Sequence, residues 1–457
     1  MNDLRNDNSW RQFQSGYIKK KRRQKRFITA IKTAAGLCLC LLMISLIALK
    51  VTGREDPILR TIIKPPDQTP DTPEPVKPPL QLSKEQLAPI IDPADLVRSD
   101  QNIYFVDTAD HSYKVTTTID IDLQEYLLSV LKRLRKLDRG KPQRIALVVM
   151  EADTGKILAM TGFDLADDNT NPCIESDYPA ASIFKIVTAA AAVETLGYNP
   201  DTQLHFNGNK YTLYKRQLKD VINKYSYKIS FARAFAESIN PVFGKLGQNK
   251  LGKDALEAYA QAFGFNRQIE TELPVFSGIF FTRENKYHLA ELGSGFNTDT
   301  TISPVFGAMM TSAVINSGRV MVPSIIEHVT DADGKLIYQN KKTTYTTAIR
   351  PETASTMMTL MQKTVTRGTA KKSFRGASKD KVLSRLLIGG KTGSLYNKEH
   401  TVRYDWFTGF GKEKETRKKI AVSVVVGHRK YIGTRASTYA KLILKRYFKP
   451  DEQTAQL

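Results

Sequence analysis

An uncharged apolar segment near the N-terminus divides the chain into two unequal parts. The seventeen residues from Thr33 to Leu49 contain no Asp, Glu, Lys or Arg. A helix extended back to Phe27, with one flanking lysine snorkelling, is about 34 Å long, which is enough to cross a bilayer. Nine Lys and Arg residues against two acids lie in residues 1–26, which predicts a basic cytoplasmic tail. We therefore predict a transmembrane anchor over residues 27–50; the alternative, a cleaved signal peptide, lacks a small-x-small cleavage site.

Proline dominates the segment that follows. Residues 57–80 contain eight prolines among Thr, Asp, Glu and Lys, a composition that favours extended conformations and cannot form a core. We predict a Pro-rich linker over residues 51–80 that holds the body of the protein away from the membrane. Residues 81–114 are a short connecting segment, either a small subdomain or the first edge elements of the main domain. That domain is placed at residues 115–450, with a short tail at residues 451–457.

Charge and cysteine content exclude several classes of protein. The net charge is +22, and outside the basic tail it is spread along the chain without a nucleic-acid-binding motif. We therefore predict no nucleic-acid partner; an acidic polymer or a membrane surface accounts equally well for the charge. Cysteines at positions 38, 40 and 173 provide neither a disulfide framework nor a CxxC-type metal site. No metal and no cofactor are expected.

Strand patterns occur early and late in the body of the chain, with helical patterns between them. A Thr/Val-rich strand at residues 113–119 leads into a helix with leucines at positions 123, 127, 131 and 134, and a hairpin follows at residues 145–160. Residues 201–275 are predicted to be mostly helical, apart from a charged, tyrosine-rich excursion near residues 205–230. Three more strands and a closing helix are predicted at residues 386–393, 404–411, 420–427 and 436–448. We expect an α/β protein of the α+β type, with one antiparallel sheet completed by both ends of the domain.

A serine and a lysine three positions apart open an alanine-rich segment. The sequence from Pro179 through Ser182 to Lys185 leads into a run with good helix propensity that ends at Gly197. This spacing places both side chains on one face of a helix. A serine hydroxyl becomes a nucleophile when a neighbouring base takes its proton, and an amine with a depressed pKa is such a base. The spacing alone is not specific, because it recurs at positions 129/132 and 378/381.

Two further motifs follow this pair along the chain. Ser238-Ile-Asn240 lies where Pro241 interrupts a helical pattern, and Gly389-Gly-Lys-Thr-Gly-Ser394 lies on or beside a strand. Considered one at a time, these segments are typical of a helix cap, a turn before proline and a surface turn. Their joint presence in this order, behind a predicted membrane anchor, indicates a common site.

Together these segments resemble the three active-site motifs, Ser-x-x-Lys, Ser-x-Asn and Lys-Thr-Gly-Ser, of the penicillin-binding, serine transpeptidase family. The similarity covers roughly residues 115–448 and includes Asp153-Thr-Gly155 and Asp405-Trp-Phe-Thr-Gly-Phe-Gly411. The resemblance implies a five-stranded antiparallel sheet flanked by helices, a mostly helical subdomain, and a site in the cleft between them. Because residues 51–114 are too few for a glycosyltransferase domain, the chain is similar to compact monofunctional, class B-like members.

The resemblance assigns catalytic roles to three residues. Ser182 is expected to attack the D-alanyl-D-alanine bond of a peptidoglycan stem peptide, or penicillin in its place, and to form an acyl-enzyme. Lys185 takes the proton, and burial together with the charge of Lys391 is expected to keep its amine neutral. Ser238 relays a proton to the leaving nitrogen.

The same resemblance assigns substrate binding to two segments. Asn240 is expected to bind the peptide backbone, and Lys391, Thr392 and Ser394 the terminal carboxylate. The backbone N–H groups of Ser182 and Ser394 are expected to form the oxyanion hole. Gly393 permits a close backbone approach, and an extended peptide pairs with the edge of this strand.

Several alternatives use the same motifs. A D,D-carboxypeptidase or endopeptidase transfers the acyl group to water, a β-lactamase or β-lactam sensor reacts with the antibiotic, and an inactive scaffold of a cell-wall synthesis complex does neither. The expected partners are stem peptides, β-lactams as inhibitors, the membrane through one helix, and a separate glycan polymerase in that membrane. The expected location is the bacterial cytoplasmic (inner) membrane, with the N-terminus inside and the catalytic domain on the outer or periplasmic face.

Overall fold

The computed structural model describes residues 82–449, except positions 89, 91, 109 and 110. The predicted basic tail, anchor, linker and C-terminal tail lie outside these residues. Within the described part of the chain, no helix is both long and apolar enough to cross a membrane.

A five-stranded antiparallel sheet forms the centre of the structure, as predicted. Its spatial order is β13-β14-β15-β3-β4, so the two ends of the domain meet between β15 and β3. The strands are β3 (Arg144–Glu151), β4 (Ile157–Asp164), β13 (Leu386–Tyr396), β14 (Arg403–Glu413) and β15 (Lys419–His428). The predicted hairpin at residues 145–160 is the pair β3–β4.

Helices cover both faces of this sheet, which explains why its strands read as continuous apolar runs rather than alternating ones. On one face lie α3 (Ile121–Arg135) and α11 (Ala436–Tyr447). On the other lies α9 (Pro304–Ile315), in which every residue is buried. Asp120 caps α3 by accepting a hydrogen bond from the N–H of Leu123 at 3.0 Å.

The connecting segment contributes strands to a second sheet with the order β1-β2-β10-β11. Its strands are β1 (Ile103–Asp107), β2 (Ser112–Thr117), β10 (Ile326–Asp331) and β11 (Leu336–Gln339). The short helices α1 (Lys84–Leu87) and α2 (Pro93–Leu96) precede them. The connecting segment therefore shares a sheet with residues 326–339.

The helical part lies between the early and late strands. Its helices are α4 (Lys185–Leu196), α5 (Phe231–Ala236), α6 (Asn240–Lys245), α7 (Gly252–Phe263), α8 (Lys286–Ser294) and α10 (Pro351–Thr366). Three two-stranded pairs accompany them: β5 (Tyr178–Pro179) with β8 (Thr301–Ile302), β6 (Gln203–Phe206) with β7 (Tyr227–Ser230), and β9 (Arg319–Met321) with β12 (Thr344–Thr347).

The prediction of a mostly helical segment at residues 201–275 is correct only between Phe231 and Phe263. The tyrosine-rich excursion begins and ends in the β6–β7 pair. Beyond α7, Gly264 adopts a left-handed conformation that ends the helix, and no helix follows before Lys286.

Candidate active site

Ser182 lies in a tight turn that directly precedes α4. The turn is a 3-10 helix, Ala181–Phe184, so the serine stands just before the α-helix rather than within its first turn. Ala181 has a φ of +47°, an uncommon conformation for a residue with a side chain. Gly295 allows a close approach to this turn, because a Cβ there would lie 1.9 Å from the carbonyl oxygen of Ala181. An uncommon backbone conformation therefore lies beside the predicted nucleophile.

The amine of Lys185 is fully buried and contacts the serine. Its Nζ lies 2.7 Å from Ser182 Oγ, 2.8 Å from Asn240 Oδ1 and 2.5 Å from the carbonyl oxygen of Ser294. None of these partners is a carboxylate. Burial lowers the pKa of Lys185 well below its ordinary value of 10.5, and the positive charge of Lys391 lowers it further.

The Ser-x-Asn motif forms the link between α5 and α6. Ser238 has a φ of +59°, and Pro241 occupies the first turn of α6, so the break in the helical pattern is real. The N–H of Asn240 donates to the carbonyl oxygen of Lys210 at 2.8 Å, and its Nδ2 donates to that of Tyr211 at 2.9 Å. Both polar groups of the Asn240 side chain are therefore paired within the protein, and its predicted contact with a peptide backbone stays a prediction.

The Lys-Thr-Gly-Ser motif lies on β13, at the edge of the central sheet. Lys391 is fully buried and donates to Ser238 Oγ and to the carbonyl oxygen of Thr392, both at 2.9 Å. Burial lowers its pKa from 10.5 to about 7. Gly393 packs against the turn Ala181–Phe184, called the nucleophile turn below because it carries the predicted nucleophile. A Cβ at Gly393 would lie 3.3 Å from the backbone nitrogen of Ser182. The predicted catalytic residues and this strand are thus brought together by direct contacts.

Two groups of residues to which the sequence assigned no role support β13. The hydroxyl of Thr369 hydrogen-bonds that of Thr392, while its N–H donates to the carbonyl oxygen of Ala236 at the end of α5. This threonine therefore connects β13 to the helix before Ser238. No pattern in its Arg-Gly-Thr-Ala segment marks it as a site residue.

The second group holds the hydroxyl of Ser394. This hydroxyl donates to Asp405 Oδ1 at 3.1 Å, and Arg435 forms an ion pair with the same carboxylate at 2.8 Å. Asp405 also accepts from the N–H of Ala436 at 2.8 Å, so β13, β14 and the start of α11 are joined there. The similarity of the segment that begins at Asp405 pointed to this region but gave the residue no role.

A metal site and a reactive cysteine are two other kinds of site, and the described residues provide neither. Among residues 82–449 as described, no group of His, Cys, Asp and Glu side chains is placed to hold a metal ion. Cys173 is buried, and burial raises the pKa of its thiol to about 12, so it is not a reactive thiolate.

Comparison with known proteins matches this architecture to one family. The family described as the penicillin binding protein transpeptidase domain matches residues 145–449. Stage V sporulation protein D of Bacillus subtilis is 25% identical over 277 residues, which cover 57% of this chain and 42% of that protein. Peptidoglycan D,D-transpeptidase PbpA of Mycolicibacterium smegmatis is 27% identical over 331 residues, 62% of each chain. The chain thus spans less than two thirds of the length of these curated relatives.

Solved structures give the same fold. The D,D-transpeptidase domain of a peptidoglycan glycosyltransferase from Eggerthella lenta superimposes with a TM-score of 0.59 at 24% identity, covering 75% of this chain and 84% of that one. The imipenem acyl-enzyme complex of penicillin-binding protein A from M. tuberculosis gives a TM-score of 0.60 at 22% identity, covering 73% and 79%. Since the family match extends over more than half of the sequence, this chain belongs to the penicillin-binding protein transpeptidase domain family.

Proposed function

We propose that this protein is a peptidoglycan D,D-transpeptidase that forms an acyl-enzyme through Ser182 and is acylated by penicillin. The observation that carries the proposal is the fully buried amine of Lys185, 2.7 Å from Ser182 Oγ and without an acidic partner. The naming of relatives as peptidoglycan D,D-transpeptidases supports the reaction class. The solved acyl-enzyme complexes of an M. tuberculosis relative with imipenem and penicillin G support acylation by β-lactams.

The surroundings of Lys185 suit a neutral amine that accepts a proton. A neutral amine has two N–H donors and one lone pair, and two of its three neighbours, the carbonyl oxygen of Ser294 and Oδ1 of Asn240, only accept hydrogen bonds. Both N–H groups are used there, so the lone pair faces Ser182 Oγ. The serine hydroxyl then donates to the amine that is to take its proton.

The proposed reaction proceeds in two acyl transfers. Ser182 Oγ attacks the carbonyl carbon of the D-alanyl-D-alanine bond while its proton moves to Lys185. The tetrahedral intermediate collapses, the C–N bond breaks, and the leaving D-alanine nitrogen takes a proton through Ser238, whose hydroxyl accepts a hydrogen bond from Lys391. An acceptor amine then attacks the ester carbonyl, loses a proton to the same groups, and releases Ser182 as a hydroxyl.

Substrate binding is assigned to β13 and the nucleophile turn. Lys391, Thr392 and Ser394 are proposed to hold the terminal carboxylate, and the N–H groups of Ser182 and Ser394 the oxyanion. The close packing of Gly393 on the nucleophile turn supports this arrangement. The peptide is proposed to pair with the outer edge of β13, which is the terminal strand of its sheet, with its backbone beside Asn240.

Transfer is favoured over rapid hydrolysis by the absence of a base for water. In the described part of the chain, no carboxylate hydrogen-bonds Ser182, Lys185 or Ser238. A β-lactamase needs a dedicated deacylation base. A carboxypeptidase is distinguished by its products, because only a transferase gives adducts with an added amine acceptor.

The proposed location follows from residues 1–80. The helix at residues 27–50 is proposed to anchor the protein in the bacterial cytoplasmic (inner) membrane, with residues 1–26 inside and the catalytic domain on the outer or periplasmic face. A separate glycan polymerase is proposed as a partner of this helix. Replacing residues 27–50 by an unrelated transmembrane helix tests this partner, and undiminished function in cells would contradict it.

The test of the reaction is intact mass spectrometry after incubation with benzylpenicillin. One stable adduct is expected on Ser182, none in Ser182→Ala, and acylation slowed by roughly 1,000-fold in Lys185→Met. Ser129→Ala is the matched control, because Ser129 has the same spacing to a lysine but lies in α3. No adduct with intact antibiotic would support the scaffold alternative, and no adduct with consumed antibiotic would support a β-lactamase.

A further inference from the structure

A cavity of about 410 Å³ lies between the β6–β7 hairpin and the helix that precedes Ser238. We refer to it as the hairpin cavity. Its aromatic lining is provided by Phe206, Tyr211 and Tyr227. Its charged lining is provided by Lys210, Lys228, Arg233 and Glu237.

This cavity shares backbone with the candidate active site. The carbonyl oxygens of Lys210 and Tyr211 accept the hydrogen bonds donated by Asn240. Asn240 in turn accepts from Lys185 at 2.8 Å. One residue, Asn240, therefore separates the cavity wall from the buried amine.

The charged lining carries three cations and one acid. Glu237 pairs with both Lys210 at 3.1 Å and Arg233 at 2.6 Å. The hydrogen bond with Glu237 raises the pKa of Lys210, so this lysine stays protonated. Lys228 pairs with His205 through the strand ladder, but its side chain has no hydrogen bond or ion pair with any residue that the structure describes. The cavity therefore has an excess of positive charge and one cation without a counter-ion.

The aromatic rings add flat apolar walls. Tyr211 and Tyr227 are 53% and 60% exposed, although rings of this size bury a large apolar area when they are covered. Tyr227 stacks on Phe206 with ring centroids 5.2 Å apart, which fixes its orientation. Aromatic walls combined with a few placed charges are typical of a binding site for an extended, charged ligand.

We infer that the hairpin cavity binds a carboxylate carried by the donor peptide on the N-terminal side of its D-alanyl-D-alanine bond. The inference rests on the proposed transpeptidase function. With the peptide's terminal carboxylate at Lys391 and its backbone at Asn240, the rest of the peptide continues past Asn240 into the cavity. Lys228 supplies the free charge, and the two tyrosines contact the chain that carries the carboxylate.

The test compares two synthetic donor peptides on the full-length protein in detergent. Both end in D-alanyl-D-alanine, and they differ in one upstream group, which is a free carboxylate in one peptide and a carboxamide in the other. D-alanine release is measured for each, and the ratio of the two kcat/KM values is the readout. We expect the carboxylate donor to be preferred by roughly 3- to 10-fold.

Variants of Lys228 test whether the hairpin cavity causes this preference for the carboxylate donor. Lys228→Met is expected to bring the ratio close to 1, and Lys228→Arg to keep most of it, because the side chain of Lys228 has no partner among the described residues to lose. Lys219→Met is the matched control, since Lys219 is exposed on the same excursion but does not line the cavity. A ratio near 1 in the wild type, or a ratio unchanged by Lys228→Met, would overturn the inference.

Benzylpenicillin labelling of the wild type separates this inference from the proposed function. Labelling of Ser182 together with no donor preference refutes the hairpin cavity alone. Absence of both labelling and D-alanine release refutes the proposed function, and the inference with it. Inorganic polyphosphate that slows both donors equally, without any preference between them, would assign the charge to an anionic polymer and overturn the peptide assignment.

Discussion

Lys391 places an amine in the interior of the protein, and Lys391→Met tests what this placement costs the fold. Its side chain is fully buried, and its hydrogen-bond partners are a hydroxyl and a carbonyl oxygen rather than a carboxylate. Burial lowers its pKa from 10.5 to about 7. The unfolded chain therefore binds a proton at this position more tightly than the folded protein does.

The linkage between protonation and folding gives the sign and the size of the effect. Below about pH 7, the difference between the pKa of 10.5 in the unfolded chain and the pKa of about 7 in the folded protein destabilises the fold by about 5 kcal/mol. As the pH rises from 7 towards 10.5 the unfolded chain also loses its proton, so this cost falls to about 2 kcal/mol near pH 9. Methionine removes the cost but also two hydrogen bonds, worth about 1–3 kcal/mol together. Lys391→Met is thus expected to be more stable than wild type by about 2–4 kcal/mol near pH 6.5 and about equal to it near pH 9.

Urea unfolding followed by tryptophan fluorescence provides the assay. The chain has two tryptophans, so a Trp10→Phe background leaves Trp406, which is buried and donates to the carbonyl oxygen of Pro179 at 3.0 Å. Exposed Lys372→Met is the control for the loss of one lysine charge. A stability difference between Lys391→Met and wild type that is the same near pH 6.5 and near pH 9 would refute the reasoning.

Three further outcomes are expected. Acylation by benzylpenicillin should slow as the pH falls through the depressed pKa of Lys185, because only its neutral amine accepts the nucleophile's proton; labelling rates that do not change with pH would contradict this. Thr369→Val removes the hydrogen bond to β13 and should slow D-alanine release from a peptide donor by about 10-fold with little change in Tm; an equal loss in Tm would indicate a structural role alone. Gly295→Ala should abolish penicillin labelling because its Cβ meets a carbonyl oxygen beside the nucleophile, whereas Gly334→Ala, at another left-handed glycine with open space around it, should retain it.

The central sheet was predictable because its strands have a strong local signal. Runs such as Ile145–Met150 and Val422–Val426 are apolar apart from Ser423, rich in β-branched residues and bounded by polar turns. This pattern is typical of strands that are buried on both faces. One strand pairing in the second sheet has no such local signal. It pairs β2 with β10, in which Val115 lies opposite Val329, and no local pattern encodes a partner so distant in sequence.

The candidate site was predictable as a set of motifs but not as a network. The serine and lysine at positions 129 and 132 have the same spacing as the predicted catalytic pair, yet Ser129 Oγ donates to the carbonyl oxygen of Tyr126 in its own helix. The third partner of Lys185 is the backbone carbonyl of Ser294, which any residue type could provide. Thr369 hydrogen-bonds Thr392 because the fold places its loop beside β13. Spacing therefore identifies side chains, whereas the groups that adjust their chemistry come from the tertiary fold.

Among the described residues, no carboxylate pairs with either buried lysine, and the chemistry proposed for these lysines accounts for this. An acid beside Lys185 or Lys391 would relieve the cost of burial, but it would also raise the pKa and keep the amine protonated at neutral pH. Glu237 immediately precedes Ser238 and is the acid closest to it in sequence, and its carboxylate is held by Lys210 and Arg233 instead. Because these two cations line the hairpin cavity, they keep the acid in the cavity wall. Burial without an acid thus costs stability at two lysines, and it leaves one of them suited to the proposed role of base.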